Sequence, residues 1–200
     1  MNHITASFSD PVHSAQQSFR TLLTAIAEPG TIHGLDQGMQ FAPLGASLTA
    51  ATLTLCDNTT SVYLSHALNQ ESVRANLVFH CGCTLVAEPY LADFALLTLA
   101  EFTNMREFKI GDEAQPQLNC TFFVQVDTFG QGTHLHLQGP GIQTTRQLAI
   151  AKLTDAQVAM LQVNHQQFPL GYDTFFFSKT QVCALARSTQ VDKEAVCTSQ

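Results

Sequence analysis

Charge is what this 200-residue chain has least of. Asp, Glu, Lys and Arg together make up 12% of it, against the ~25% of an average soluble domain. Nine cations face 16 acids, for a net charge of −7. A dedicated nucleic-acid binder needs a basic face to displace counterions from phosphates, so that class does not fit. Long apolar runs are missing too. The longest, such as Phe94-Ala95-Leu96-Leu97, fall far short of the ~20 residues that span a bilayer. The segment Met1 to Phe8 has neither a basic n-region nor an apolar h-region, so no secretory signal is expected and the protein reads as cytoplasmic. The six cysteines, Cys56, Cys81, Cys83, Cys120, Cys183 and Cys197, accordingly read as reduced thiols.

Several chemical motifs are absent as well. The nucleophile elbow Gly-x-Ser-x-Gly does not occur; Gly45-Ala46-Ser47 comes nearest and lacks the second glycine of the strained turn. The phosphate-cradling loop Gly-x-x-x-x-Gly-Lys-Ser/Thr and the Cys-x-x-Cys redox spacing are also missing.

What the chain does have is apolar and uncharged-polar bulk. Hydrophobic residues supply 45%, with 14 Phe, and polarity comes largely from 22 Thr and 19 Gln. Such a chain buries too much apolar surface, and repels itself too little, to be disordered. Its length predicts one domain over residues 1–200. A weakly charged surface also resists association less, which points to a subunit that meets partners.

Hydrophobic periodicity predicts a helix over 14–27, where Ala15, Phe19, Leu22, Leu23 and Ile26 share a stripe that Glu28-Pro29-Gly30 ends. A short strand is expected over Thr31–Leu35, a buried helix over Leu44–Leu55, and a strand at Ser61–Leu64 after the Asp57-Asn58 turn. Next come a short helix over 70–76, a strand at Leu77–His80, a strand at Phe94–Leu99 and a polar loop over 111–117. Thr121–Val126 and Leu135–Leu137 flank Gly130-Gln131-Gly132 and read as a hairpin. Thr154-Asp155 is expected to cap a helix reaching Asn164, and Asp173–Phe177 to pair with Val182–Ala186. The sum is an α/β fold with a mixed sheet.

Candidate chemistry is sparse. His134-x-His136 puts two imidazoles on one strand face, but no third ligand sits at a supporting spacing, so no metal is expected. His80-Cys81-Gly82-Cys83 lacks the second ligand pair of a zinc site and reads as buried thiols near a turn. Gly139-Pro140-Gly141 could turn backbone N–H groups toward an anion, or simply form a tight strand exit. Cations being so scarce, Arg20 beside Phe19 and Arg187 at a strand end are candidate anion or interface contacts. His80, Asp57 and Asp173 are polar groups inside apolar segments, where a buried charge is paired or functional. By spacing alone, no catalytic residue can be named.

An ordered set of segments resembles the PhnH family, subunits of the bacterial carbon–phosphorus lyase core complex. It comprises Ser18-Phe19-Arg20-Thr21-Leu22-Leu23 with Glu28-Pro29-Gly30, then Pro43-Leu44, Leu53 to Thr60 and Phe79-His80. It continues through Gly139-Pro140-Gly141-Ile142, Phe168 to Asp173 and Arg187-Ser188-Thr189. Gly45, Ala186 and the stretch 100–119 depart from the family pattern. The resemblance implies a single-domain α/β/α sandwich similar to pyridoxal-phosphate-dependent transferases, without the cofactor. Lys109, Lys152, Lys179 and Lys193 sit in loop, helix-edge, turn and tail contexts rather than at an apolar strand end.

It further implies a role in phosphonate catabolism. With subunits G, I and L, such a chain supports displacement of adenine from ATP by methylphosphonate, giving α-D-ribose 1-methylphosphonate 5-triphosphate, whose carbon–phosphorus bond subunit J later cleaves. A homodimer is expected when the chain is isolated. The competing expectations are a homodimeric phosphonate- or nucleotide-binding protein without catalysis, and a free-standing enzyme with a pocket around His80, Asp57 and Arg187.

Overall fold

In a computed structural model, residues 4–193 are described. Helix α1 (Pro11–Ala27) leads to strand β1 (His33–Gly34), α2 (Ala46–Leu55), β2 (Ser61–Leu64), α3 (Glu71–Cys81), β3 (Thr84–Val86) and β4 (Phe94–Thr98). Two single 3₁₀ turns, Leu99–Glu101 and Met105–Glu107, precede β5 (Thr121–Gln125). The chain continues through β6 (Phe129–Gln138), β7 (Arg146–Ile150), α4 (Asp155–Gln166), β8 (Thr174–Phe177), β9 (Gln181–Leu185) and β10 (Gln190–Lys193).

Seven strands form one mixed sheet in the order β1-β9-β8-β5-β4-β2-β3. The run from β8 to β3 is parallel, and β9 and β1 are antiparallel at one side. Successive side chains on a strand point to opposite faces, and the core divides accordingly. Phe122, Val124, Phe176, Cys183 and Leu185 pack on one face with Leu135, Leu137, Leu148, Ile150 and Val191 of a second, three-stranded sheet and with Val158 and Leu161 of α4. Phe123, Phe175, Phe177, Val182 and Ala184 pack on the other with Leu22 and Ala25 of α1, Leu48 and Ala51 of α2, and Val73 and Leu77 of α3. The protein is α/β with a large mixed sheet, one outer layer helical and the other shared by α4 and the small sheet β10-β6-β7.

Two of the sequence expectations fail, for tertiary reasons. The short helix and the strand at Leu77–His80 are one helix, α3, running to Cys81. Val73 and Leu77, four residues apart, are fully buried, while Val78 and Phe79 turn to solvent. Gly82, at φ +66°, stops the helix in the left-handed conformation that glycine adopts without strain, and the strand starts only at Thr84. The hairpin across Gly130-Gln131-Gly132 does not form either. β5 pairs with β4 and β8 in the large sheet, whereas 135–137 lies in β6 and pairs with β7 and β10. The two glycines instead sit in β6 where its register shifts between Phe129 and Thr133.

Other expectations hold. Thr154 caps α4 in a reciprocal box with Gln157, and β8 and β9 form the expected hairpin. In α1 only part of the expected stripe is inside. Ser18, Leu22 and Ala25 are buried, while Phe19 and Leu23 stay 48% and 54% exposed. The inward face is the one with small residues, which lets α1 lie close against α2 and β9.

Candidate functional site

The connections leaving β2 and β4 run to opposite sides of the sheet: β2 is followed by β3 on one flank, and β4 by β5 on the other. In open α/β sheets, a crevice opens beyond the carboxyl ends of the strands at such a switch point. Here Ser65 follows β2, Thr98 ends β4, and the next turn carries Glu101. The Glu101 carboxylate accepts from the Ser65 hydroxyl (2.5 Å), the Thr98 hydroxyl (2.6 Å) and the Ala67 N–H (3.0 Å). Burial works against the charge most strongly, but these three donors and the adjacent His66 outweigh it and hold the Glu101 pKa below its ordinary range. A cleft of about 360 Å³ opens beside it, lined among others by Tyr63, His66, Asn104, Glu107 and Phe108. Burial, with Glu101 and Glu107 nearby, pushes the Tyr63 phenol up.

A second cleft of about 460 Å³ shares Ala100 and Thr103 with the first and is rimmed by Thr98, Gln125, Asp127, Lys152 and Thr154. Lys152 is the one non-glycine residue with positive φ (61°) among the described residues, and it pairs with Asp127 at 2.7 Å. An L-residue held in that region is strained, and such strain gathers at functional sites.

Chemically, this edge is well buttressed. Gln125 accepts from the Gly45 N–H at 2.8 Å and donates to the Pro43 carbonyl at 3.2 Å. Gln157 donates to the carbonyls of Leu99 and Phe102. With its pKa depressed, Glu101 is an ionised acceptor near neutrality and no proton donor. Glu101→Gln should cost about 1 kcal/mol at neutral pH, because charge-assisted hydrogen bonds are lost from a group partly screened by solvent. The sign follows from the depressed pKa. The stabilisation is present above the ordinary carboxylate range and vanishes as pH falls through the lower folded-state value. Urea melts of both proteins should therefore converge in acid.

The amino terminus of α2 reaches the same edge. Its N-cap, Gly45, has no side chain to cap it, and Lys179 lies against it in the β8–β9 turn, two residues beyond the fully buried end of β8. Lys179 is thus nearer to an apolar strand end than its turn context implied. Two of the amides at this helix start are engaged. The Ser47 N–H bonds the Lys179 carbonyl at 3.1 Å, the Gly45 N–H bonds Gln125, and the Ser47 hydroxyl donates to the Ser178 carbonyl. A phosphate that used those two amides would have to displace these partners.

The residues singled out from sequence lie elsewhere. Arg187 and Asp173 are brought together at 2.6 Å, their side chains 15% and 25% exposed. Arg187 also donates to the Pro116 carbonyl and the Asn119 side chain, which ties the 111–119 loop to the hairpin. Asp57 is exposed rather than inside an apolar segment; its carboxylate accepts from the Thr59 hydroxyl and N–H, which lower its pKa. The His80 ring stacks on Phe41 at 5.3 Å, and its Nε2 lies 2.9 Å from the Thr5 carbonyl. Strands β8, β5 and β4 separate β9, which Arg187 follows, from β2, which follows Asp57, so the fold does not assemble a His80–Asp57–Arg187 pocket. Arg20 is exposed on α1. Gly139 and Gly141 turn the chain out of β6, with the Gly139 carbonyl accepting from the Ile142 N–H at 3.1 Å. On β6, Leu135 and Leu137 are buried and alternate with His134 and His136. Among the described residues, no three His, Cys, Asp or Glu side chains gather as metal ligands.

Sequence reasoning missed Ser65, Thr98 and Glu101, and it placed Lys152 only at a helix edge. The one signal pointing their way was the stretch 100–119, where the family pattern breaks down and which lines much of this edge.

Comparison with known proteins agrees from end to end. The profile of the family described as bacterial phosphonate metabolism protein (PhnH) matches residues 6–192. A Rhizobium meliloti protein, alpha-D-ribose 1-methylphosphonate 5-triphosphate synthase subunit PhnH, is 32% identical over 192 residues, covering 95% of this chain and 96% of that one. A candidate C-P lyase subunit protein, HtxG of Stutzerimonas stutzeri, is 30% identical over 178 residues, covering 88% and 85%. The chain therefore belongs to the PhnH family of bacterial phosphonate metabolism proteins.

Proposed function

We propose that this chain is an accessory, cytoplasmic subunit of a multi-subunit transferase. It supports formation of α-D-ribose 1-methylphosphonate 5-triphosphate from ATP and methylphosphonate, with release of adenine, and it works without a bound cofactor. The observation that carries this reading is the Rhizobium meliloti relative, a synthase subunit aligned over almost the full length of both chains. The accessory role rests on charge and hydrogen bonding. A triphosphate needs clustered cations, yet Lys109, Lys152, Arg187 and Lys193 each pair with an aspartate. The polar groups at the carboxyl edge are likewise held by the fold itself.

Carbon–phosphorus lyase subunits G, I, J and L are the proposed partners, with a homodimer as the state of the isolated chain. Exposed Val12, Phe19 and Leu23 on α1 and Val78 and Phe79 on α3 support a chain that meets partners. No helix among the described residues is long and apolar enough to cross a membrane. The test is expression with and without the genomic neighbours. The chain should co-purify with carbon–phosphorus lyase subunits, and alone it should release no adenine from ATP and methylphosphonate. Turnover by the lone chain would overturn the accessory role.

A further inference from the structure

We propose that two copies of this chain join edge to edge through β3, their large sheets continuing into one another across a two-fold axis at Leu85. The inference names the contact face of the homodimer proposed above and rests on that reading. Among the described residues β3 pairs with β2 alone, so it is an outer strand of the sheet. The Thr84 N–H bonds the Thr60 carbonyl at 3.0 Å. Successive residues of a strand turn their backbone groups to opposite sides, so Leu85 aims its N–H and carbonyl out of the sheet. Sheet edges are commonly guarded by charge or proline; Thr84-Leu85-Val86 has neither.

The side chains beside this open edge are apolar and left in water. A groove of about 500 Å³ runs along α3, lined by Ile4, Ala75, Val78, Phe79 and Leu85. Ile4, Val78 and Phe79 are 42%, 52% and 67% exposed. Val73 and Leu77 hold the other side of α3 in the core, so the helix has an apolar face on each side and the fold covers one of them.

Three observations select a second copy as the occupant. A two-fold axis at Leu85 sets the two β3 strands antiparallel, and Leu85 then exchanges both outward backbone groups with the second copy's Leu85, as in a hydrogen-bonded antiparallel pair. The same axis keeps both α3 helices on one face of the joined sheet, which brings the two apolar grooves together. Charge agrees. The groove carries one acid and one base, Glu71 and Arg74, so two chains of net charge −7 meet there on balanced ground, with each copy's Arg74 offered the other's Glu71. Three strand residues fall short of the ~800 Å² per partner of a stable interface, and the groove is the apolar surface next to them that makes up the area.

The experiment is sedimentation velocity on the full chain, with dithiothreitol present because Cys197 lies outside the described residues. The parent should be a dimer. Leu85→Pro deletes an N–H that points out of the sheet, where an edge strand accepts proline. Phe79→Glu places a carboxylate in the groove without touching the strand. Each should weaken dimerisation by at least about tenfold, whereas Phe19→Glu on α1 should stay as dimeric as the parent. A readout without substitutions is exchange of the Leu85 amide hydrogen, which should slow as concentration rises through the dimerisation range. A monomeric parent would overturn this inference and the homodimer together. A dimer that survives Phe79→Glu, that dissociates with Phe19→Glu, or that leaves the Leu85 amide exchanging freely would overturn the β3 contact and leave the homodimer standing.

Discussion

Gly141→Ala should destabilise the fold by on the order of 3 kcal/mol or more, a large fraction of the ~5–15 kcal/mol typical of a domain. Gly141 has φ +82°, and a Cβ there would lie 2.1 Å from the Ala27 carbonyl oxygen and 2.8 Å from Pro29 Cδ. Both neighbours belong to the turn that ends α1, so relief requires moving backbone. The exit from β6 and the end of α1 are in effect packed through this hydrogen-sized side chain. Gly38→Ala is the matched control. Gly38 also has positive φ (74°), but nothing lies within 4 Å of its added Cβ, so its cost should be only the ~1 kcal/mol of left-handed backbone strain. Urea midpoints measured side by side separate the contributions. Equal losses in the two variants would mean that the close approach of Gly141 to α1 contributes nothing.

Asp173→Ala should cost about 3 kcal/mol, because it leaves a mostly buried guanidinium without its counter-charge. The Arg187 side chain is 15% exposed, and Asp173 accepts from its Nη2 at 2.6 Å and its backbone N–H at 2.9 Å. The penalty comes mainly from the stranded cation, so it should shrink once that cation is gone. In an Arg187→Met background, Asp173→Ala should cost markedly less, with a coupling of about 1–3 kcal/mol in a double-mutant cycle. Additive costs from urea melts would show that the two residues do not act as a pair. The same result would recast Arg187 as free to serve a ligand, which its present contacts to Pro116, Asn119 and Asp173 do not favour.

The elements legible in the sequence are those whose signals are local. Thr154 and Gln157 at capping-box spacing mark the start of α4, and Glu28-Pro29 ends α1. The apolar run Thr174–Phe177, a short polar turn and Val182–Leu185 announce a hairpin. The failures share a cause as well. Leu77-Val78-Phe79 has strand-like composition, but burial of Val73 and Leu77 on one helix face overrides it. Thr121–Val126 next to a glycine-rich turn imitates a hairpin arm, yet its partners β4 and β8 lie far away in sequence or beyond two other strands. The carboxyl-edge site is non-local throughout. Ser65 and Glu101 are 36 residues apart, and the stretch that joins them to the clefts has no periodicity to read. Asp57 follows an apolar helix end but is exposed at the start of the Asp57-Asn58 turn, so apolar residues on one side do not mark a buried charge.

The shortage of charge ties the composition to the proposed role. A chain with nine cations, four of them paired with aspartates, is poorly equipped to hold a triphosphate alone. The same weakly charged surface, with Phe19, Leu23 and Phe79 exposed on its helical layer, suits contact with other proteins. Affinity co-purification from cells expressing this chain with its genomic neighbours tests that account most directly. Carbon–phosphorus lyase subunits should come down with the chain in fixed stoichiometry. Recovery of the chain by itself, with adenine release from ATP and methylphosphonate undiminished in its absence, would contradict it.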